Sequence, residues 1–157
     1  MKSIFKVSLI LLFPLIISSC SKNNDNQAQK VSQAIIKVEV TNNQTSNFEE
    51  ILNIQVVGDN MPTTEVTGVT WDDKQTPSAN TKWFLKRGDV KPTIVYQTTN
   101  KVASLTYAVV ISSKSATTVP LLTTLKFYAD DKLVKTQIIT TSDKASNVTI
   151  PIVVTSL

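Results

Sequence analysis

From Ala34 onward, apolar residues recur at every second position. "AIIKVEV" sets Ile36, Val38 and Val40 against Lys37 and Glu39, and "EILNIQVV" sets Leu52, Ile54 and Val56 against Asn53 and Gln55. "ASLTYAVVIS" puts Leu105, Tyr107, Val109 and Ile111 on one face, and "NVTIPIVV" does the same for Val148, Ile150, Ile152 and Val154. Successive side chains of a strand point to opposite faces, so this period marks half-buried strands and excludes amphipathic helices. "EVTGVTW", "KWFL", "TIVYQT", "LLTTLKFYA" and "KLVKTQIIT" bring the expected strands to eight or nine. Pro151 predicts an edge or a bulge, because proline has no N–H for a ladder. With no helices interleaved, the pattern predicts an antiparallel β-sandwich or barrel.

The chain before Ala34 is built differently. Lys2 and Lys6 precede an apolar run, Val7 to Ile17, too short for the roughly 20 residues of a membrane-spanning helix. The run has the length of a signal-peptide core. It ends in Ile17-Ser18-Ser19-Cys20, and Cys20 is the only cysteine of the 157 residues. This segment resembles the lipobox of bacterial lipoproteins. The resemblance implies a diacylglyceryl thioether on Cys20, cleavage of residues 1–19, and acylation of the new amine. Each buried CH2 adds about 0.8 kcal/mol, so two or three chains would hold the protein on a membrane. The polar stretch "SKNNDNQAQKVSQ" then reads as a tether, residues 20–33 including the cysteine, with a reach of roughly 20 Å. Ser21, rather than Asp, behind the cysteine favours the outer membrane by the same analogy. The exposed face, periplasmic or external, is left open by the single acid Asp25 beside Lys22.

Composition narrows the chemistry. Loss of Lys2 and Lys6 with the leader leaves fourteen basic and twelve acidic residues, scattered along the chain. That balance gives no footing for a nucleic-acid partner. The absence of histidine removes His-dependent triads and His-ligated zinc, and beyond Cys20 there is no thiol and no disulfide. Gly58, Gly68 and Gly88 are isolated, so no phosphate-cradling loop is encoded. We expect no cofactor, no metal and no catalytic residue.

The stretch from Leu105 to Ile152, with Phe127-Tyr128-Ala129-Asp130-Asp131-Lys132-Leu133-Val134 at its centre, resembles the end of bacterial Ig-like modules of the CARDB type. The resemblance implies a hairpin at Ala129–Lys132 and a spacer or binding role. Asp131 stands where such modules have glycine, the residue a tight I′ turn favours; a longer loop would accommodate it. The expected fold is thus all-β, a single Ig-like or fibronectin-like antiparallel sandwich over residues 34–157.

Several candidate sites follow. Trp71, Asp72, Trp83 and Tyr96 flank a long loop, Asp72 to Thr81, and suit a sugar platform of ring faces and a carboxylate. Tryptophans packed between the sheets are the commoner arrangement in sandwiches. Asp72-Asp73 and Asp130-Asp131, with Asp59, Asp89 or Asp143, offer oxygen ligands for calcium, against the commoner role of aspartate in capping turns. Glu39, Glu49, Glu50 and Glu65 fall at positions read as solvent-facing, without a marked catalytic pair. Arg87-Gly88-Asp89 spells RGD between two strands, where a plain turn explains it. The expected function is a lipid-anchored, non-catalytic binding or structural module of the cell envelope. Its partners would be membrane lipid through Cys20 and an envelope protein or polysaccharide. The alternative is a carboxylate-dependent carbohydrate-active or proteolytic enzyme.

Overall fold

The computed structural model describes residues 32–59, 61–76 and 80–155. The expected leader, Cys20 and most of the tether lie outside the described residues. Among these residues ten strands form: β1 (Ile36–Asn42), β2 (Phe48–Val57), β3 (Val66–Thr67), β4 (Asp73–Gln75), β5 (Thr81–Arg87), β6 (Thr93–Thr98), β7 (Ser104–Ser113), β8 (Leu121–Ala129), β9 (Lys132–Thr141) and β10 (Ser146–Val153). They build two five-stranded antiparallel sheets, ordered β3-β6-β1-β8-β9 and β10-β7-β2-β5-β4. The described residues form an antiparallel β-sandwich.

The period-two faces meet between the sheets. Ile36, Val38 and Val40 of β1 and Leu52, Ile54 and Val56 of β2 are all buried. So are Leu105, Tyr107, Val109 and Ile111 of β7, from the centre of the second sheet. β10 is an edge strand, and Pro151 stands opposite Thr106 where a missing N–H leaves no interior ladder broken.

Three local readings are corrected. The expected strand from Val66 to Trp71 stops after Thr67, because Gly68 adopts a φ of +112° and turns the chain. The expected loop from Asp72 to Thr81 contains a short strand, β4, paired to β5. The β8–β9 connection is a two-residue turn rather than a longer loop: Ala129 pairs with Lys132, and Asp130 and Asp131 both take positive φ, 45° and 65°. Asp130 offsets that strain. Its Oδ1 accepts the Ile35 N–H at 3.0 Å, its own N–H donates to Ile35 O at 3.0 Å, and Lys101 reaches its other oxygen at 3.2 Å.

The register places both ends of the sandwich at one pole. Ala34 exchanges two backbone hydrogen bonds with Val102, and Val154 donates to Ala103 next door. At the opposite pole lie the connections β1–β2, β5–β6, β7–β8 and β9–β10, each crossing from one sheet to the other. They are tied together: Asn42 Nδ2 donates to Lys91 O at 2.6 Å, Gln44 Nε2 to Val119 O at 2.9 Å, and the Thr117 N–H to Asp143 Oδ1 at 3.0 Å.

Candidate functional site

The three aromatic residues proposed as a sugar platform do come together, but around the core. Trp83 and Tyr96 point inward from β5 and β6 and are fully buried. Trp71 is half-buried and caps them, its ring centroid 6.4 Å from Trp83 and 5.8 Å from Tyr96. The row continues through Tyr107 to Phe127, at 6.2 and 6.0 Å. Such tilted and edge-on pairs add about 0.5–1.5 kcal/mol each beyond burial. Trp83 and Tyr96 thus offer no ring face to a ligand from outside. Trp71 is pinned by its indole N–H, which donates to Val66 O at 2.7 Å. Asp72 lies on the surface, but its carboxylate caps the Lys86 N–H at 2.6 Å.

At the loop-rich end of this row lies a polar cluster hidden by the solvent-facing reading of Glu50. Glu50 is in phase with Leu52, Ile54 and Val56, so its side chain enters the core. Arg87, its register partner on β5, donates to Glu50 Oε1 at 2.8 Å. Burial pushes the Glu50 carboxyl above its ordinary range in spite of Arg87. Tyr96 and Tyr107 are pushed up too, chiefly by burial and further by neighbouring negative charge. The phase of the alternation was the available signal.

This pairing also settles the geometry of the RGD string. Arg87 is turned inward to Glu50, and Asp89 accepts Lys114 at 2.5 Å across the loop pole. The other aspartates named for calcium are dispersed: Asp59 accepts Gln33, Asp143 caps Thr117, and Asp130 caps Ile35. Among the described residues, no three acidic or thiol side chains gather around one point.

The outer face of the first sheet carries a second network. Tyr128 OH donates to Glu39 at 2.8 Å, and Lys37 lies 4.4 Å from the Tyr128 ring centre and 3.3 Å from Glu39. The tyrosine hydrogen bond, with Lys37 behind it, holds the Glu39 carboxyl below its ordinary range. A shallow recess of ≈ 220 Å³ opens beside it, lined by Ile35, Lys37, Gln97, Asp130 and Asp131. Its charged groups are already engaged: Lys37 pairs with Glu39 and Asp131, and Asp130 with Lys101.

No family model matches the sequence, and no curated protein matches it. Two crystal structures share the fold. A DUF4425 family protein from Bacteroides ovatus is 14% identical, with a TM-score of 0.53 over 78% of this chain and 95% of its own. A domain of unknown function, DUF4425, from Bacteroides vulgatus is 16% identical, with a TM-score of 0.51 over 80% of this chain and 98% of its own. At these identities the likeness concerns the sandwich alone.

Proposed function

We propose that the protein is a lipid-anchored module of the bacterial cell envelope that binds or scaffolds rather than catalyses. The observation that carries this reading is Ile17-Ser18-Ser19-Cys20 behind a short apolar run, followed by a polar segment that feeds a sandwich at Ala34. Ala34, the first residue after the expected tether, lies at the pole that also holds the C-terminal strand end. Four bonded crossover loops then occupy the pole away from the attachment point, and two broad sheet faces flank it. A polysaccharide or an envelope protein is the partner class, and the outer membrane the expected location.

The test is metabolic labelling of the full chain with an alkynyl fatty acid. Label and membrane fractionation are expected for the native chain and are expected to vanish in Cys20→Ser. Equal labelling or equal membrane retention of Cys20→Ser would overturn the anchor.

A further inference from the structure

Among the described residues, eight of the thirteen amide side chains are spent on the protein itself. Gln33, Asn42, Asn43, Gln44, Asn47, Gln75, Asn100 and Gln137 all donate to protein groups. Asn53 and Gln55 do not, nor do Asn80, Gln97 and Asn147, but Asn53 and Gln55 alone of these lie side by side on one strand. They are successive outward residues of β2, and among the described residues neither side chain has a hydrogen-bond partner. Lys82 stands opposite Gln55 on β5, and Thr106 opposite Gln55 on β7. Their side chains are likewise without a partner among the described residues. These four converge with Ala108 on one shallow dish of ≈ 240 Å³ over the backbone of Ile54.

The setting of the dish is as distinctive as its lining. The outward positions of β7, Ser104, Thr106, Ala108, Val110 and Ser112, carry no charge. Nor do those of neighbouring β10, Asn147, Thr149, Pro151 and Val153. An uncharged strip therefore runs from the dish across β7 to the sheet edge at β10. The dish has no carboxylate, and Lys82 is its one charged group.

We infer that this face binds a glycan chain, with Asn53, Gln55 and Thr106 as its hydrogen-bonding residues. Two primary amides and a hydroxyl are paired donors and acceptors, the chemistry that complements sugar hydroxyls. Their spacing is repetitive, about 4.8 Å across strands and about 6.8 Å along β2, which suits an extended polymer. The volume is below the roughly 300–1,000 Å³ of pockets that enclose a small molecule. The dish therefore seats one unit of a chain that continues over the uncharged β7–β10 surface. Ala108 supplies the apolar floor, and Lys82 can serve hydroxyls or the carboxylate of an acidic sugar. The assignment rests on the binding-module reading above and replaces the buried Trp83–Tyr96 platform.

The experiment is NMR titration of the full chain, following the side-chain NH2 signals of Asn53 and Gln55. The probes are soluble glucan, mannan and uronic-acid oligosaccharides. Saturable shifts at both amides are expected with a neutral or an acidic member of the panel. Affinity is expected to fall about tenfold or more in Asn53→Ala/Gln55→Ala, whose outward positions leave the fold intact. Shifts confined elsewhere, or none with any probe, overturn the assignment. Shifts that follow protein concentration alone identify self-association and overturn it too. Acyl labelling of the same sample keeps the two readings separate: a labelled chain without glycan shifts fails only here, and glycan shifts on an unlabelled chain fail only the anchor.

Discussion

Arg87 lies 2.8 Å from Glu50 between the two sheets, with side-chain exposures of 12% and 4%. A pair this deep loses much of its attraction to desolvation, and removing one partner strands the other. Glu50→Ala is therefore expected to cost about 3 kcal/mol in urea unfolding, at the lower end of the usual range because Arg87 retains some solvent. Glu50→Leu/Arg87→Met, which removes both charges, is expected to fall within about 1 kcal/mol of the native chain. Equal losses for the single and double variants would show that the pair itself stabilises the sandwich.

The same residue gives stability a pH dependence. Burial holds the folded Glu50 carboxyl above its ordinary 4.5, so the folded state binds that proton more tightly than the unfolded chain. The associated stabilisation is fully present below 4.5 and is lost as pH rises through the folded value. Asp130 has the opposite sign: the Ile35 N–H, then Lys101, hold it below 3.8, so its contribution is present above 3.8 and lost as pH falls through the lower folded value. Urea midpoints measured against Glu50→Gln should move in favour of the native chain on acidification. Those measured against Asp130→Ala should move against it. A native–Glu50→Gln difference independent of pH would contradict the first.

The tight turn predicts a stabilising substitution. Asp131 sits at φ 65°, and its carboxylate is 93% exposed and 3.7 Å from Lys37. An exposed pair at that distance contributes little. Asp131→Gly removes the left-handed strain and should raise stability by about 0.5–1 kcal/mol. Asp130→Gly should lower it, because the bonds to Ile35 and Lys101 go with the side chain. Thermal melts of the two variants shifting in the same direction would refute this division of roles.

These cases show where the sequence was legible. Period two was enough for the all-β sandwich, for the inward faces of β1, β2, β7 and β10, and for the edge position of Pro151. It also carried information that charge obscured: Glu50 shares the phase of Leu52, yet its polarity suggested solvent. Trp83 shares the phase of Leu85 within a seven-residue strand, too few alternations to outweigh the pull of a Trp-Asp-rich loop. Strand order, and the placing of Tyr96 from one sheet against Trp71 and Trp83, depends on non-local pairing that no local pattern encodes. The dish was half visible, since Asn53 and Gln55 were already opposite Leu52 and Ile54. Their convergence with Lys82 and Thr106 required the register.

Gly68 is the position where added bulk is least tolerable. Its φ is +112°, and a Cβ there would lie 1.9 Å from Val95 O on β6. Gly68→Ala must shift backbone as well as adopt a strained φ, so we expect a loss of about 2 kcal/mol or more. β3 has only two residues and should peel from β6 first. That movement frees Val66 O from the Trp71 indole and should red-shift Trp71 emission. A native melting temperature with unchanged emission would mean the edge absorbs the methyl without detaching.

The tryptophans can be separated in solution. Trp83→Phe leaves Trp71, half-buried at the rim, and Trp71→Phe leaves Trp83, sealed between the sheets. Acrylamide should quench the emission of the first variant measurably and leave that of the second nearly untouched. Stability should follow burial in the opposite order. Trp83→Ala opens a cavity at the centre of the aromatic row and is expected to cost about 3–5 kcal/mol, with Trp71→Ala well below that. Trp83→Phe should be milder than its lost volume suggests, because Trp83 Nε1 is buried without an acceptor among the described residues and its removal relieves a desolvated donor. Strong quenching of Trp83 in Trp71→Phe would show that the sheets part at this end on the nanosecond scale and that the row is an accessible surface after all.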